Sequence, residues 1–153
     1  MSGQPAEVLF YHLERATLES VLPSLLERTL ERGWRAVVQS GSAERLEALD
    51  LSLWTYDDAS FLPHGTARDG DPQRQPIYLT LGDETPNGAG VRFLVDGAET
   101  SVFDGFVRIV CIFDGRDADA LARARQQWQA ARAAGSTVTY WRQSESGRWE
   151  KQG

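Results

Sequence analysis

Apolar positions along the chain follow two alternating patterns, short β-type runs and stretches spaced three or four residues apart. Val8 to Leu13 (VLFYHL) is rich in β-formers and predicts a strand. Leu18, Leu22, Leu25, Leu26 and Leu30 then recur at helical spacing. They predict a helix from about Thr17 to Arg32, with Thr17 as N-cap, Glu19 in the first turn and Gly33 as the stop. Pro23 conflicts with this pattern, because proline is comfortable only in a first turn. The helix is therefore expected to begin near Ser20, or to start earlier and kink. Trp34 to Gln39 (WRAVVQ) predicts a second strand, and the strand–helix–strand order predicts a parallel pair with a right-handed crossover. A short helix over Ala43–Leu49, capped by Ser42, follows, and Leu46, Leu49, Leu51 and Leu53 carry an apolar surface up to Trp54.

From Asp57 to Pro76 the chain is punctuated by Pro63, Gly65, Gly70, Pro72 and Pro76 and predicts a long connection, of the kind that tends to be functional or mobile. Ile77–Leu81 and Val91–Val95 predict strands separated by the turn-rich segment Gly82–Gly90, with Arg92 interrupting the second. Phe106–Phe113 (FVRIVCIF) has the near-continuous apolar character of a central strand covered on both faces. Asp117–Ala134 predicts the clearest helix: Asp117 caps it, Asp119 sits in its first turn, alanine is plentiful and Gly135 ends it. Thr137–Gln143 and Gly147–Gln152 predict a terminal hairpin around SESG. The whole pattern predicts a single α/β domain over residues 1–153. It would be three-layered, with a mostly parallel sheet and helices on both faces.

Composition narrows the class. The 153 residues are 41% apolar and 25% charged, which excludes a disordered acidic tail and a collagen-like fibre. The apolar runs are far shorter than the roughly 20 residues of a spanning helix, so no membrane partner is expected. The start, MSGQPAEV, carries neither the basic nor the apolar region of a secretory signal, and the lone Cys111 cannot form an internal disulfide. Both fit a reducing cytoplasm. The net charge is −6, unevenly spread: residues 1–116 hold 10 basic and 18 acidic side chains, residues 117–153 six and four. Direct binding of DNA is not expected of so acidic a chain. The basic groups are arginines apart from Lys151, and a guanidinium fork matches carboxylates.

The usual catalytic signatures are absent. There is no phosphate-binding glycine loop after the first strand and no G-x-S-x-G elbow. His12, His64 and Cys111 are too few and too widely spaced for zinc, so neither metal nor cofactor is expected. His12 and Cys111 lie in predicted strands and read as packed residues. Asp57–Asp58 reads as a solvated acidic pair.

Two constellations read as binding surfaces. On the Asp117–Ala134 helix, Leu121, Arg125, Trp128 and Arg132 form one stripe, and Ala120, Ala124, Gln127, Ala131 and Ala134 form another. Small residues allow close approach to a sheet, so the alanine side is assigned to the core and the Arg–Trp–Arg stripe to the outside. In the alternative, Trp128 packs inward and the arginines form a solvated face. The second constellation is Trp54 to His64 (WTYDDASFLPH), where Trp54, Tyr56, Phe61 and Leu62 crowd apolar area into an acidic loop. It is either an interface anchor or a satellite cluster under the loop.

Taken together, FYHL (Phe10–Leu13), LERGWR (Leu30–Arg35), LDLSLWTYDDASFLPH (Leu49–His64) and the helix ending RAAG (Arg132–Gly135) resemble the chi subunit of bacterial DNA polymerase III holoenzyme. The L-W-x(6)-F-x-P-H pattern is the most specific of these. The resemblance implies a nucleotide-binding-like α/β fold without a phosphate loop. It also implies a noncatalytic clamp-loader accessory with two partners. One is the acidic C-terminal tail of single-stranded-DNA-binding protein; the other is the psi subunit, or an accessory helicase that competes for the same surface. By that resemblance Arg125 holds the tail's terminal carboxylate and Trp128 lines the pocket for its last side chain. Trp54 and Phe61 fall at psi- or helicase-binding positions. Leu121 and Gln129 stand where lysines are expected, and Arg123 and Arg132 are the compensating charges. Two other readings compete, a small α/β nucleotide-processing enzyme and a direct single-strand DNA binder. The first requires a polar pocket with perturbed acids at the strand ends.

Overall fold

The computed structural model describes residues 6–14, 16–55 (54 and 55 as backbone only), 64–66, 70–100, 102–146 and 148–152. Among the described residues eight strands form one sheet: β1 (Glu7–Leu13), β2 (Ala36–Ser40), β3 (His64–Gly65), β4 (Ile77–Thr80), β5 (Val91–Val95), β6 (Arg108–Asp114), β7 (Val138–Gln143) and β8 (Trp149–Lys151). Their order is β3-β4-β2-β5-β6-β1-β7-β8, and every pairing is parallel except the terminal β7–β8 hairpin. The sheet is covered by the helices α1 (Leu18–Glu31), α2 (Ala43–Thr55) and α3 (Ala118–Ala133).

Side chains alternate across β1 and so divide the core. Leu13 and Tyr11 face α1 and α2, with Val110 and Ile112 of β6 and Phe93 of β5. Val8 and Phe10 face α3, with Ile109, Cys111 and Phe113. Phe10, Leu22, Leu26 and Ile109 are entirely buried. Each such side chain stabilises the fold by about 1.5–3 kcal/mol. Burial also pushes the Cys111 thiol up to about 12, which keeps it protonated and inert.

Several expectations are corrected. β1 and β2 are parallel but not paired, because β5 and β6 insert between them. Helix α1 does not begin at Ser20. Thr17 caps it in a reciprocal box, in which Ser20 N–H donates to Thr17 Oγ1 and Thr17 N–H donates to Ser20 Oγ. The helix then runs on through Pro23, which is buried against the core side. Helix α2 extends to Thr55 rather than Leu49, with Leu49 and Leu53 inward and Leu51 exposed. Arg92 does not interrupt β5. It is only 2% exposed, and its guanidinium donates to Gln39 Oε1, to the Asp83 carbonyl (2.7 Å) and to Thr85 Oγ1 (3.0 Å). Part of the long connection is also ordered as β3 and a 3₁₀ turn at Pro72–Arg74.

From β1 the chain crosses over α1 towards the β3 edge. From the neighbouring β6 it crosses over α3 on the other face, towards the β8 edge. The strand order thus reverses between β6 and β1, which opens a crevice at their carboxyl ends. Among the described residues no helix is long and apolar enough to cross a membrane.

Candidate functional site

Helix α3 is set in place by three features of its sequence. Asp117 accepts from the N–H groups of Asp119 (2.9 Å) and Ala120 (3.3 Å) and fixes the first turn. Ala124 and Ala131, both buried, let the helix lie close on the sheet. Gln127, between them, exchanges two hydrogen bonds of 2.9 Å with the backbone of Thr100. That pair fixes the rotation of the helix about its axis. The alanine face therefore points inward as expected at Ala124, Gln127 and Ala131, while Ala134 is exposed.

The stripe carrying Leu121, Arg125, Trp128 and Arg132 consequently faces the β7 edge. Arg125 and Arg132 are exposed, and Leu121 and Trp128 are half-buried. Trp128 combines the two alternatives: one side of its indole packs on Phe10 (ring centroids 5.6 Å) and on Tyr140 (5.9 Å), and the remainder lines an open cavity. The cavity measures about 360 Å³ and is lined by Phe113, Leu121, Ala124, Arg125, Trp128, Tyr140 and Gln152. Arg125 has no acidic partner among the described residues.

The cavity brings together Leu121, Arg125 and Trp128 but not the two flanking arginines. Arg132 stands one turn further along, outside the lining. Arg123 turns to the opposite flank of α3, where a Cβ placed on Gly97 would lie 3.7 Å from its guanidinium. Trp54 closes α2, with its side chain outside the described residues, and Phe61 lies outside them altogether, as do Tyr56, Leu62 and Asp57–Asp58.

Phe113, Tyr140 and Gln152 were not legible as site residues. Tyr140 alternates correctly on β7, but nothing local says that β7 lies beside β1. Its hydroxyl shares a 2.5 Å hydrogen bond with His12 Nδ1. Burial, followed by the charge of Arg142, holds the His12 imidazole below its ordinary pKa, and burial raises the Tyr140 phenol. The imidazole also sits against Gly115, where any Cβ would fall 1.8 Å from His12 Nε2, so only glycine fits there.

A second cavity, of about 430 Å³, occupies the crevice at the reversal point. Its lining mixes charged side chains with apolar ones such as Leu13, Leu94 and Ile112, and one of its acids, Asp96, is raised by burial. Most of its charges are nevertheless engaged in holding the fold together, although Arg123 and Glu99 have no ion-pair partner among the described residues. Arg45 donates to Glu19 Oε2 (2.6 Å) and Asp96 Oδ1 (3.2 Å), Arg116 donates to Asp114 Oδ1 (2.8 Å), and Asp117 caps α3. Among the described residues no group of His, Cys, Asp and Glu is placed to hold a metal ion.

A set of apolar walls with one unpaired guanidinium at the rim can hold an apolar side chain that carries a carboxylate. Comparison with known proteins agrees with the sequence pattern. Residues 6–139 match the family model described as DNA polymerase III chi subunit, HolC. A probable DNA polymerase III subunit chi of Rickettsia prowazekii (strain Madrid E) is 31% identical over 85 residues, 56% of this chain. The chain thereby spans about half (52%) of that relative's length.

Proposed function

The chain belongs to the DNA polymerase III chi subunit family, and we propose that it acts in DNA replication as a noncatalytic accessory of the clamp loader. In this reading the cavity on α3 takes the acidic C-terminal tail of single-stranded-DNA-binding protein. The tail's last, aromatic side chain enters against Trp128, Tyr140 and Phe113. Its terminal carboxylate is held by Arg125, whose fork makes two parallel charge-assisted bonds. Arg132, on the same stripe, attracts the tail's aspartates, whereas Arg123, on the other flank, acts only at longer range. Leu121, in place of a lysine, lends apolar wall rather than charge. Trp54 and Phe61 supply the contact with the psi subunit, by the resemblance described above.

The observation that carries this reading is the exposed Arg125 guanidinium, free of acidic partners among the described residues, beside a half-buried indole. A charge-assisted hydrogen bond contributes about 1.5–3 kcal/mol. Arg125→Ala is therefore expected to weaken binding of a tail peptide by roughly ten- to a hundredfold, read by fluorescence anisotropy. The wild-type affinity should itself fall as salt rises. An Arg125→Ala affinity equal to that of the wild type would refute the assignment.

A further inference from the structure

The opposite face of the sheet carries a second recognition surface, unconnected with the α3 cavity. A groove of about 370 Å³ runs between α1 and the β7–β8 hairpin, over the amino-terminal ends of β1, β5 and β6. Among the described residues no helix covers this part of the sheet: β7 turns Tyr140 towards α3 and Thr139 and Trp141 into the groove.

The charge of the groove is opposite to that of the chain. Its described cations are Arg28, Arg32, Arg108 and Lys151, and Glu7 is its one described acid. Glu7 engages Arg108 at 3.2 Å, while Arg28, Arg32 and Lys151 have no acidic partner among the described residues. Arg28 and Arg32 are both exposed and stand four residues apart on α1. This spacing places them on one helix face, about 5–6 Å apart at Cβ. The charges of Arg108, Arg28 and Arg32 all bear on the Tyr11 hydroxyl, so they converge on one place. On a chain of net charge −6, such a concentration of cations favours an anionic ligand.

The floor and walls are aromatic. Trp34 lies beneath the guanidinium groups of Arg32 (5.6 Å to the ring centroid) and Arg108 (5.4 Å). Tyr11 meets Trp149 edge-on at 5.0 Å and lies nearly parallel to Trp141 at 6.4 Å. All four rings are half-buried. Two buried polar atoms of groove-lining residues, Thr139 Oγ1 and Trp141 Nε1, have no hydrogen-bond partner among the described residues. Planar rings interleaved with guanidinium groups suit stacked bases whose phosphates follow the cations. A run of carboxylates would use the cations and leave the rings idle. Duplex DNA is too broad to bring its bases into a groove of this size.

We propose that this groove binds a short stretch of single-stranded nucleic acid, without sequence preference. The phosphates meet Arg28, Arg32 and Lys151, and a base stacks among Trp34, Trp149 and Tyr11. The acidic total that argues against DNA binding is an average over the whole chain and does not describe this face.

The test is anisotropy of a fluorescein-labelled oligothymidylate titrated with the full chain over a range of salt. Three phosphate contacts predict a log–log salt slope of about −2. Arg28→Ala/Arg32→Ala, at solvent-facing positions that leave the core intact, is expected to reduce that slope by about 1.4. Trp149→Leu is expected to weaken binding about tenfold at constant salt. Arg125→Ala serves as the control and should leave oligonucleotide binding unchanged. The proposal is overturned by absence of salt-dependent binding, by a salt slope unchanged in the double arginine variant, or by loss in the Arg125 variant instead. Equal competition by an acidic peptide of matched charge also overturns it, because the groove would then be a peptide site.

Discussion

Two concave surfaces meet across α3 at Ala124, which lines both. In the crevice at the strand ends, Arg45 ties α1 and α2 to the turn after β5 through Glu19 and Asp96, and Arg116 closes on Asp114. In the cavity on the other flank, Arg125 stands beside aromatic rings with no acid among the described residues. The crevice is at the place where open α/β sheets usually bind ligands, yet Arg45 and Arg116 are paired with acids there, and its one unpaired guanidinium among the described residues, Arg123, has no aromatic ring beside it apart from Phe113 in the lining. The cavity lies along the side of a helix, and its charge is available. In the proposed reading, recognition follows the unpaired guanidinium that stands among aromatic walls, not the hollow that is larger or better placed in the fold.

Substitutions should separate the two surfaces. The largest effect is expected at Trp128, which serves both the core and the cavity. Trp128→Ala removes the ring that packs on Phe10 and Tyr140. Because the indole is half-buried, the loss should be about 2–4 kcal/mol of stability, somewhat below that of a fully buried aromatic. Urea denaturation measures it, and a loss under 1 kcal/mol, on the order of an ordinary surface change, would mean that the indole is not anchored. Arg125→Ala is the converse: tail affinity falls as argued above, while stability stays within about 0.5 kcal/mol of wild type. A destabilised Arg125→Ala protein would place that guanidinium among the structural ones.

Arg45→Met tests the crevice. The pairing with Glu19 and Asp96 is partly exposed, so its removal should cost about 1–2 kcal/mol, below the value for a buried pair. Tail affinity should not change. If stability is unaltered and peptide binding weakens, the roles of the two surfaces are reversed.

The sequence disclosed features with local causes. Helix α3 was legible because Asp117, the alanines and Gly135 act within a turn of their own positions. The assignment of its inner face followed from residue size. Arg92 reads as an interruption because a charge inside a strand is normally disruptive; Gln39, Asp83 and Thr85, which satisfy it, come from other elements. The insertion of β5 and β6 between β1 and β2 left no local trace, and with it Tyr140 and Phe113 were lost as cavity walls. Arg123 and Arg125 are only two positions apart, a separation that puts them on different flanks of a helix. The basic groove escaped notice for a related reason. Its cations run from Arg28 to Lys151 in the chain, and a net charge cannot show that they converge.

The smallest expected effect comes from beneath the cavity, at His12. Burial disfavours its charged form and Arg142 adds to this, while Glu14 and Asp114 oppose it, leaving the folded pKa below the ordinary 6.5. The unfolded chain therefore binds the proton more readily than the folded one. Stability from this group is complete above about pH 6.5 and declines as the pH falls through that value towards the lowered folded pKa. Protonation also turns Nδ1 into an obligatory donor, so the Tyr140 hydroxyl can no longer donate to it. His12→Gln keeps a polar group near Tyr140 and removes the titration. The difference in urea midpoint between wild type and His12→Gln, followed downward from about pH 8 to 5, should shift steadily against the wild type. Midpoints that run parallel over the whole range would show that the imidazole titrates alike in both states and has no part in holding the Tyr140 wall in place.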